Sequence, residues 1–392
     1  MSRNRFTLLV VVTLTAALAV IVLSRSVDDQ HGASAGVLLP ALEQSVNEIA
    51  AIDVVAPGGT IAVTLRRDDE RWRVLEKDGY EADFARVIEL LRSLRQAQKA
   101  GARTANPEWY SKLGVQPLAS DDATGRRLDF PGQEIASVII GQTDPTGNGS
   151  YARRVEDAQS WLLDEVIEVP VDPVVWLERG VMDIPAEDIT EVVIRHADGE
   201  MIRIARAGDN DPEFVLRNVP EGRQAGPPRL RRAIASGLRG LNLEDVRRHQ
   251  PPVPADAARL LFVTTDGLNF VADIFEREAR YWVHFTVSAE NAATGATAPS
   301  VGDVDAPDGA EETAVNPDDE TGDGLAANAD ATSGPTEAIE ERDAVEQQAA
   351  QRLANAVAVD ARLSPWIFAI PERRYNDLTK RMEDLLEPVE EE

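Results

Sequence analysis

The stretch IAAIDVVAPGGTIAVTLRRDDERWRVL, residues 49–75, holds three short runs rich in Val, Ile and Leu, separated by Pro57-Gly58-Gly59 and Asp68-Asp69. Runs of five to seven such residues bounded by turn formers read as strands, and three in succession read as an antiparallel meander: Ile49–Val55, Ile61–Leu65 and Arg71–Leu75. A meander has one face to cover, and the next segment supplies the cover. Phe84, Val87, Ile88, Leu91 and Leu94 fall at helical spacing, opposite Arg86, Glu89, Arg92 and Arg95, which predicts an amphipathic helix.

Further along the chain, strands are expected at Glu134–Ile140, Tyr151–Val155 and Ser160–Leu163, followed by a Pro-flanked close, Pro173-Val-Val-Trp-Leu177. The same order then recurs. Ile189–Ile194, Met201–Ile204 and Glu213–Leu216 form a second meander, with Asp198-Gly199 as a hairpin turn. Leu230, Ile234, Leu238 and Leu241 suggest a second amphipathic helix, and strands follow at Arg259–Thr265, Leu268–Phe275 and Tyr281–Val287. A helix from about 344 to 359, the segment Ser364-Pro-Trp-Ile-Phe368 and a last helix carrying Tyr375, Leu378, Met382 and Leu385 complete the pattern. The class expected is α+β, built as an internal duplication of about 46–185 and 186–390, each unit a β-meander with its helix.

Composition divides the chain differently. Its 392 residues carry a net charge of -28, yet Ser288–Glu346 alone holds sixteen acidic residues against one arginine, Arg342. No aromatic residue lies between Phe285 and Trp366. Such a segment buries too little apolar surface to offset the entropy of ordering, so 288–338 is expected to be a disordered acidic insertion. Net negative charge disfavours nucleic acid, whose affinity comes mainly from basic side chains on phosphates. The absence of Cys excludes disulfides, thiol catalysis, Cys-ligated zinc, iron–sulfur clusters and a lipidated N-terminal Cys.

Phe6–Leu23 is an uncharged run of 18 residues, preceded by Arg3 and Arg5 and followed by Arg25, Asp28 and Asp29. At about 1.5 Å per residue a helix of that length nearly crosses a hydrocarbon core of about 30 Å. Ala33-Ser34-Ala35 has the form of a signal-peptidase site, but the run exceeds the usual cleaved h-region. The expected plan is a cytoplasmic n-region 1–5, a signal anchor 6–23, a linker 24–45 and the bulk in the periplasm, held at the inner membrane by a single pass.

Motifs for chemistry fail in context. Gly32-Ala-Ser-Ala-Gly36 spells a nucleophile elbow without the strand and helix that one requires. Gly147-Asn-Gly-Ser-Tyr-Ala152 spells a dinucleotide fingerprint that runs into a strand, and no P-loop occurs. His31, His196, His249 and His284 are too far apart in sequence for a local zinc pair. His284, alternating with Trp282 on a strand, reads as a half-buried structural side chain. Asp144 and Asn148 could offer oxygens to calcium, but the EF-hand alternation is missing. No cofactor and no catalytic residue is expected. Arg229, Arg231, Arg232, Arg239, Arg247 and Arg248 surround the second helix and read either as its solvated face or as a contact for headgroups or an acidic partner.

Tyr110-Ser-Lys-Leu-Gly114, then Val138-Ile-Ile-Gly141 leading to Gly149-Ser-Tyr151-Ala-Arg153, then Trp161-Leu-Leu163 and Trp176-Leu-Glu-Arg179, resemble the bacterial domain-of-unknown-function 4340 family. The family's Tyr-Gly-Leu signature is altered here to Tyr-Ser-Lys-Leu-Gly, and the likeness covers about 45–290 with 345–386. Members are often encoded beside ABC-transporter components of the gliding-motility kind. The resemblance therefore implies a non-catalytic, membrane-anchored auxiliary or scaffold subunit with integral-membrane and ATPase partners. Two other readings stand beside it: a module binding a cell-envelope glycan through Trp72, Trp109 or Trp161, and a hydrolase using paired carboxylates.

Overall fold

The computed structural model describes residues 36–208, 211–289 and 335–388, with side chains in the last stretch from 346 onward. The expected anchor 6–23 with its n-region, and positions 290–334 of the acidic insertion, lie outside the described residues. Among the described residues no helix is long and apolar enough to cross a membrane. The fold is α+β, with mostly antiparallel strand pairing and few helices. It divides into two compact units: residues up to Asp183 with Gly240–Arg248 and Ile367–Pro371, and Ile184–Arg239 with His249–Trp366 and the remainder.

In the first unit α1 (Pro40–Ser45) precedes the meander β1 (Ala51–Val55), β2 (Ile61–Asp68), β3 (Arg71–Val74) and β4 (Tyr80–Glu81). Part of the expected linker is thus ordered, because Leu38, Leu39 and Leu42 are buried. Next come α2 (Phe84–Gln96), β5 (Lys99–Ala102), α3 (Tyr110–Leu113), β6 (Arg126–Asp129), β7 (Val138–Thr143), β8 (Ser150–Arg154) and β9 (Trp161–Leu163). The sheet runs β4-β3-β2-β1-β6-β7-β8-β9-β5. The Asp83 carboxylate caps α2 by accepting from the Arg86 amide. The buried face of α2 is Val87, Leu90, Leu91 and Leu94, whereas Phe84 and Ile88 are exposed. This corrects the expected face: Leu90, three before Ser93 and four before Leu94, turns the apolar stripe away from Phe84.

After β10 (Gly180–Met182) the second unit begins with β11 (Ile189–Arg195), β12 (Met201–Arg206), β13 (Phe214–Leu216) and α4 (Pro228–Ala235). The chain returns to the first unit for β14 (Leu241–Asn242), which pairs with β10, and for β15 (Asp245–Arg248). The second unit resumes with β16 (Ala258–Thr264), β17 (Leu268–Arg277), β18 (Arg280–Ala289) and α5 (Pro335–Leu363). β19 (Trp366–Ile370) lies beside β15, and α6 (Glu372–Leu378) closes the fold. Six strands of the second unit run β13-β12-β11-β16-β17-β18.

The helix expected through Leu241 ends at Ala235. Gly237 packs where a Cβ would meet Leu378 and Phe262, and Gly240 takes φ +53°, so Leu238 falls in a 3-10 turn and Leu241 in a strand. The edges of the acidic insertion are regular: Ser288 and Ala289 complete β18, and 335–338 open α5. Asp360 of α5 accepts from the Val287 amide at 2.8 Å, fixing that helix to β18.

Candidate functional site

The glycines and aromatics of the Tyr110 and Gly141–Arg153 motifs converge in the first unit. Tyr110, at the start of α3, is buried in a cluster with Val55, Val115, Leu118, Ile139 and Tyr151. Its hydroxyl donates to the Ala158 carbonyl. Arg153 on β8 lies 4.6 Å from the Tyr110 ring centroid, with 5% of its surface exposed. Its guanidinium donates to the carbonyls of Val115 at 2.9 Å, Val155 at 3.1 Å and Asp157 at 2.9 Å. A cation held by carbonyls and an aromatic face is stabilised without a carboxylate. Burial nevertheless lowers its pKa, opposed by Tyr110 and Asp157.

Gly114 ends α3 at φ +69°, a left-handed position natural to glycine. A Cβ on Gly141 would collide with the Leu113 carbonyl and lie 2.9 Å from Val115 Cγ1, while one on Gly149 would collide with the Leu163 carbonyl. The two glycines therefore let β7 pass under α3 and β8 begin against β9. Between them, Asp144 caps the turn by accepting from the Thr146 amide at 3.1 Å and the Tyr151 hydroxyl at 2.6 Å. The Thr146 hydroxyl, then Tyr151, hold the Asp144 carboxyl below its ordinary range. Asp144 is thus a turn cap, its oxygens committed to the hairpin.

Two concave surfaces flank α3. One, of about 640 Å³, is lined by Tyr110, Ser111, Gln116, Ser120, Arg127 and Arg153 among others. Arg127 faces Asp129 in a two-pronged ion pair at 2.8–3.0 Å. Gln116 is buried and donates to the Asp122 carbonyl at 2.7 Å, but its Oε1 has no hydrogen-bond partner. A buried acceptor left open is costly, about 1–3 kcal/mol, so a water or ligand donor would be held there. The other surface, of about 410 Å³, is lined by Arg103, Thr104, Asn106, Trp109, Lys112 and Leu113. Between them the two surfaces present hydroxyls, an amide, carboxylates, cations and an indole. Among the described residues no three of His, Asp and Glu are grouped to hold a metal ion.

The arginines singled out from sequence fall in both units. Arg229, Arg231, Arg232 and Arg239 belong to the second unit, Arg247 and Arg248 to the first. Arg229, Arg232, Arg239 and Arg248 are exposed and Arg247 is half-buried. Arg231 departs from the expected contact role: it is buried and donates to the carbonyls of Phe214 at 2.7 Å and Gly226 at 2.6 Å. The helix carries it inward beside Ile234 and Ala235.

Of the tryptophans offered for sugar stacking, Trp72 is buried, Trp161 is half-buried beneath Lys99, and Trp109 is exposed. Two pairings escaped sequence reading. His249 and His284 stack at 3.8 Å between ring centroids, although 35 positions separate them in sequence. Lys112 sits 3.8 Å from the Trp109 ring centroid, a contact that the three-residue spacing on a helix could have signalled. His284 itself is buried, with Nε2 2.9 Å from the Ser364 carbonyl.

Neither a curated protein nor a solved structure matches the chain. A family model does match: residues 72–260 fit that of the domain of unknown function DUF4340, and these residues contain the Tyr110 motif, both close-approach glycines, Arg153 and Trp176. The glycine, tyrosine and arginine positions that hold α3 against β7 and β8 thus lie within the matched stretch, and over residues 72–260 this chain is similar to the DUF4340 family.

Proposed function

We propose that this chain is a non-catalytic, membrane-anchored auxiliary or scaffold subunit of an ABC-type transport system of the gliding-associated kind. Residues 6–23 would cross the inner membrane once, with the N-terminus inside and the two units in the periplasm. The observation that carries the reading is the use of the signature residues: Tyr110, Arg153 and Tyr151 each direct their polar atoms to partners within the first unit. What this leaves for function is surface, which suits contact with other proteins. The apolar run Phe6–Leu23 with Arg3 and Arg5 before it supports the anchor and its orientation.

The finer architecture is read as an internal duplication. Its support is the matching strand order: β3-β2-β1-β6-β7-β8 in one unit and β13-β12-β11-β16-β17-β18 in the other, each with a helix between the third and fourth of these strands in chain order.

Crosslinking in intact membranes followed by co-purification tests the partner assignment. Recovery of an integral-membrane transporter subunit is the expected result, and a preparation without one refutes it. The topology is checked by protease added to spheroplasts, which should digest the chain beyond residue 25; full protection would reverse the orientation.

A further inference from the structure

The 410 Å³ surface beside α3 differs from the rest of this acidic molecule. Trp109, the residue before α3, is 50% exposed, an unusual setting for a large apolar ring. Lys112 lies over the indole, and Arg103 enters the same surface from the end of β5. Neither cation forms an ion pair with a carboxylate among the described residues. The Arg103 guanidinium lies 6.0 Å from the Tyr151 ring centroid, and Glu108, the acidic residue of the adjoining turn, accepts from the Asn106 side chain at 3.5 Å. Thr104 Oγ1 accepts from the Asn106 amide at 3.0 Å, so the polar rim is internally braced.

We propose that Arg103, Trp109 and Lys112 form a binding site for an acidic saccharide. The C–H face of a pyranose ring is apolar and packs against an indole, whose exposed area supplies most of the contact. A carboxylate on the same ring meets a guanidinium or ammonium in a charge-assisted hydrogen bond, the stronger kind. Two separated cations beside a single indole match one charge per ring. They match a polyphosphate poorly, because its dense charge calls for more cations than the two that line this surface. The surface holds one or two sugar rings by volume, consistent with a polymer read a short segment at a time. This inference goes beyond the scaffold reading and needs no transporter partner.

The test titrates the full-length chain in detergent with trigalacturonate, with its neutral methyl ester and with a hexaglutamate peptide, following the Trp109 indole N–H resonance assigned through W109F. Saturable binding of trigalacturonate is expected, at least about tenfold tighter than the ester and weakened by added salt. W109A, read by isothermal titration calorimetry because it removes the reporting indole, should abolish binding, and R103Q or K112Q should each weaken it about threefold to tenfold with the circular dichroism spectrum unchanged. Equal affinity for the ester, or no saturable binding of trigalacturonate, would overturn the proposal. Hexaglutamate binding as tight as the saccharide would also overturn it, making this surface a dock for acidic peptide. Unaltered affinity in both charge variants would place the ligand elsewhere.

Discussion

Gly141 shows how a single hydrogen can set a fold. Its missing side chain is what lets β7 pass beneath the Leu113 carbonyl, so Gly141→Ala should force the strand away from α3 and cost about 1–3 kcal/mol, read as a lowered urea midpoint. Arg153→Met should cost about as much for another reason, since it leaves the carbonyls of Val115, Val155 and Asp157 without their donor. Both effects follow from motif letters that sequence reading found without their reasons, because close approach and carbonyl caging are properties of segments far apart in the chain. The stacked imidazoles add a pH effect. Burial first, then the neighbouring His284, lowers the His249 pKa, while Asp273 raises it. The unfolded chain, with His249 near the ordinary value of about 6.5, then binds more protons than the folded one, so stability is held above that pH and lost as pH falls towards the lower folded value. Urea midpoints at about pH 7.5 and 5.5 should therefore diverge more for the natural chain than for His249→Gln; an equal divergence would assign the titration to other groups.

At the scale of elements, α2 separates the two kinds of information. Its limits, Phe84 to Gln96, agree with the expected helix, because Asp83 caps it and the apolar spacing is strong. The face it buries was misjudged by one stripe. Periodicity weighs Phe84 and Ile88 equally with Leu91, whereas the sheet beneath accommodates Val87, Leu90, Leu91 and Leu94. Ile88→Gln should consequently change stability by no more than about 0.5 kcal/mol, while Leu90→Ala should cost about 2–5 kcal/mol. Thermal unfolding of the two variants distinguishes the faces, and a larger loss from Ile88→Gln would restore the face read from periodicity. In α4 the same periodicity ran past a true end, since nothing in the spacing of Leu238 and Leu241 conveys that Gly237 must fit against Leu378.

For the molecule as a whole, the division of the chain is not a cut at one place. The first unit takes back Gly240–Arg248 and Ile367–Pro371. Lys77 donates to Asp245 at 2.7 Å, the Glu244 amide to the Ala369 carbonyl at 2.8 Å, and the Phe368 ring meets Tyr80 edge-on at 6.1 Å. Val246, Ile367, Phe368 and Ile370 are all buried. A fragment of residues 36–183 would expose what these side chains cover. It should lack a cooperative thermal transition, whereas the chain through 388 should unfold with one; a sharp transition in the fragment would show that the returning strands are dispensable.

Local patterning determined much by itself: the α+β class, the order of meander and helix, the approximate limits of most long strands, and the motifs that mark the family. These depend on periods of two and 3.6 residues and on turn chemistry, which act over a few positions. Tertiary structure alone decided the buried stripe of α2, the inward turn of Arg231, the stacking of His249 on His284 and the return of β15 and β19 to the first unit. Each of those depends on which distant surface covers which, and burial is set by the three-dimensional neighbours a residue meets rather than by its neighbours in sequence.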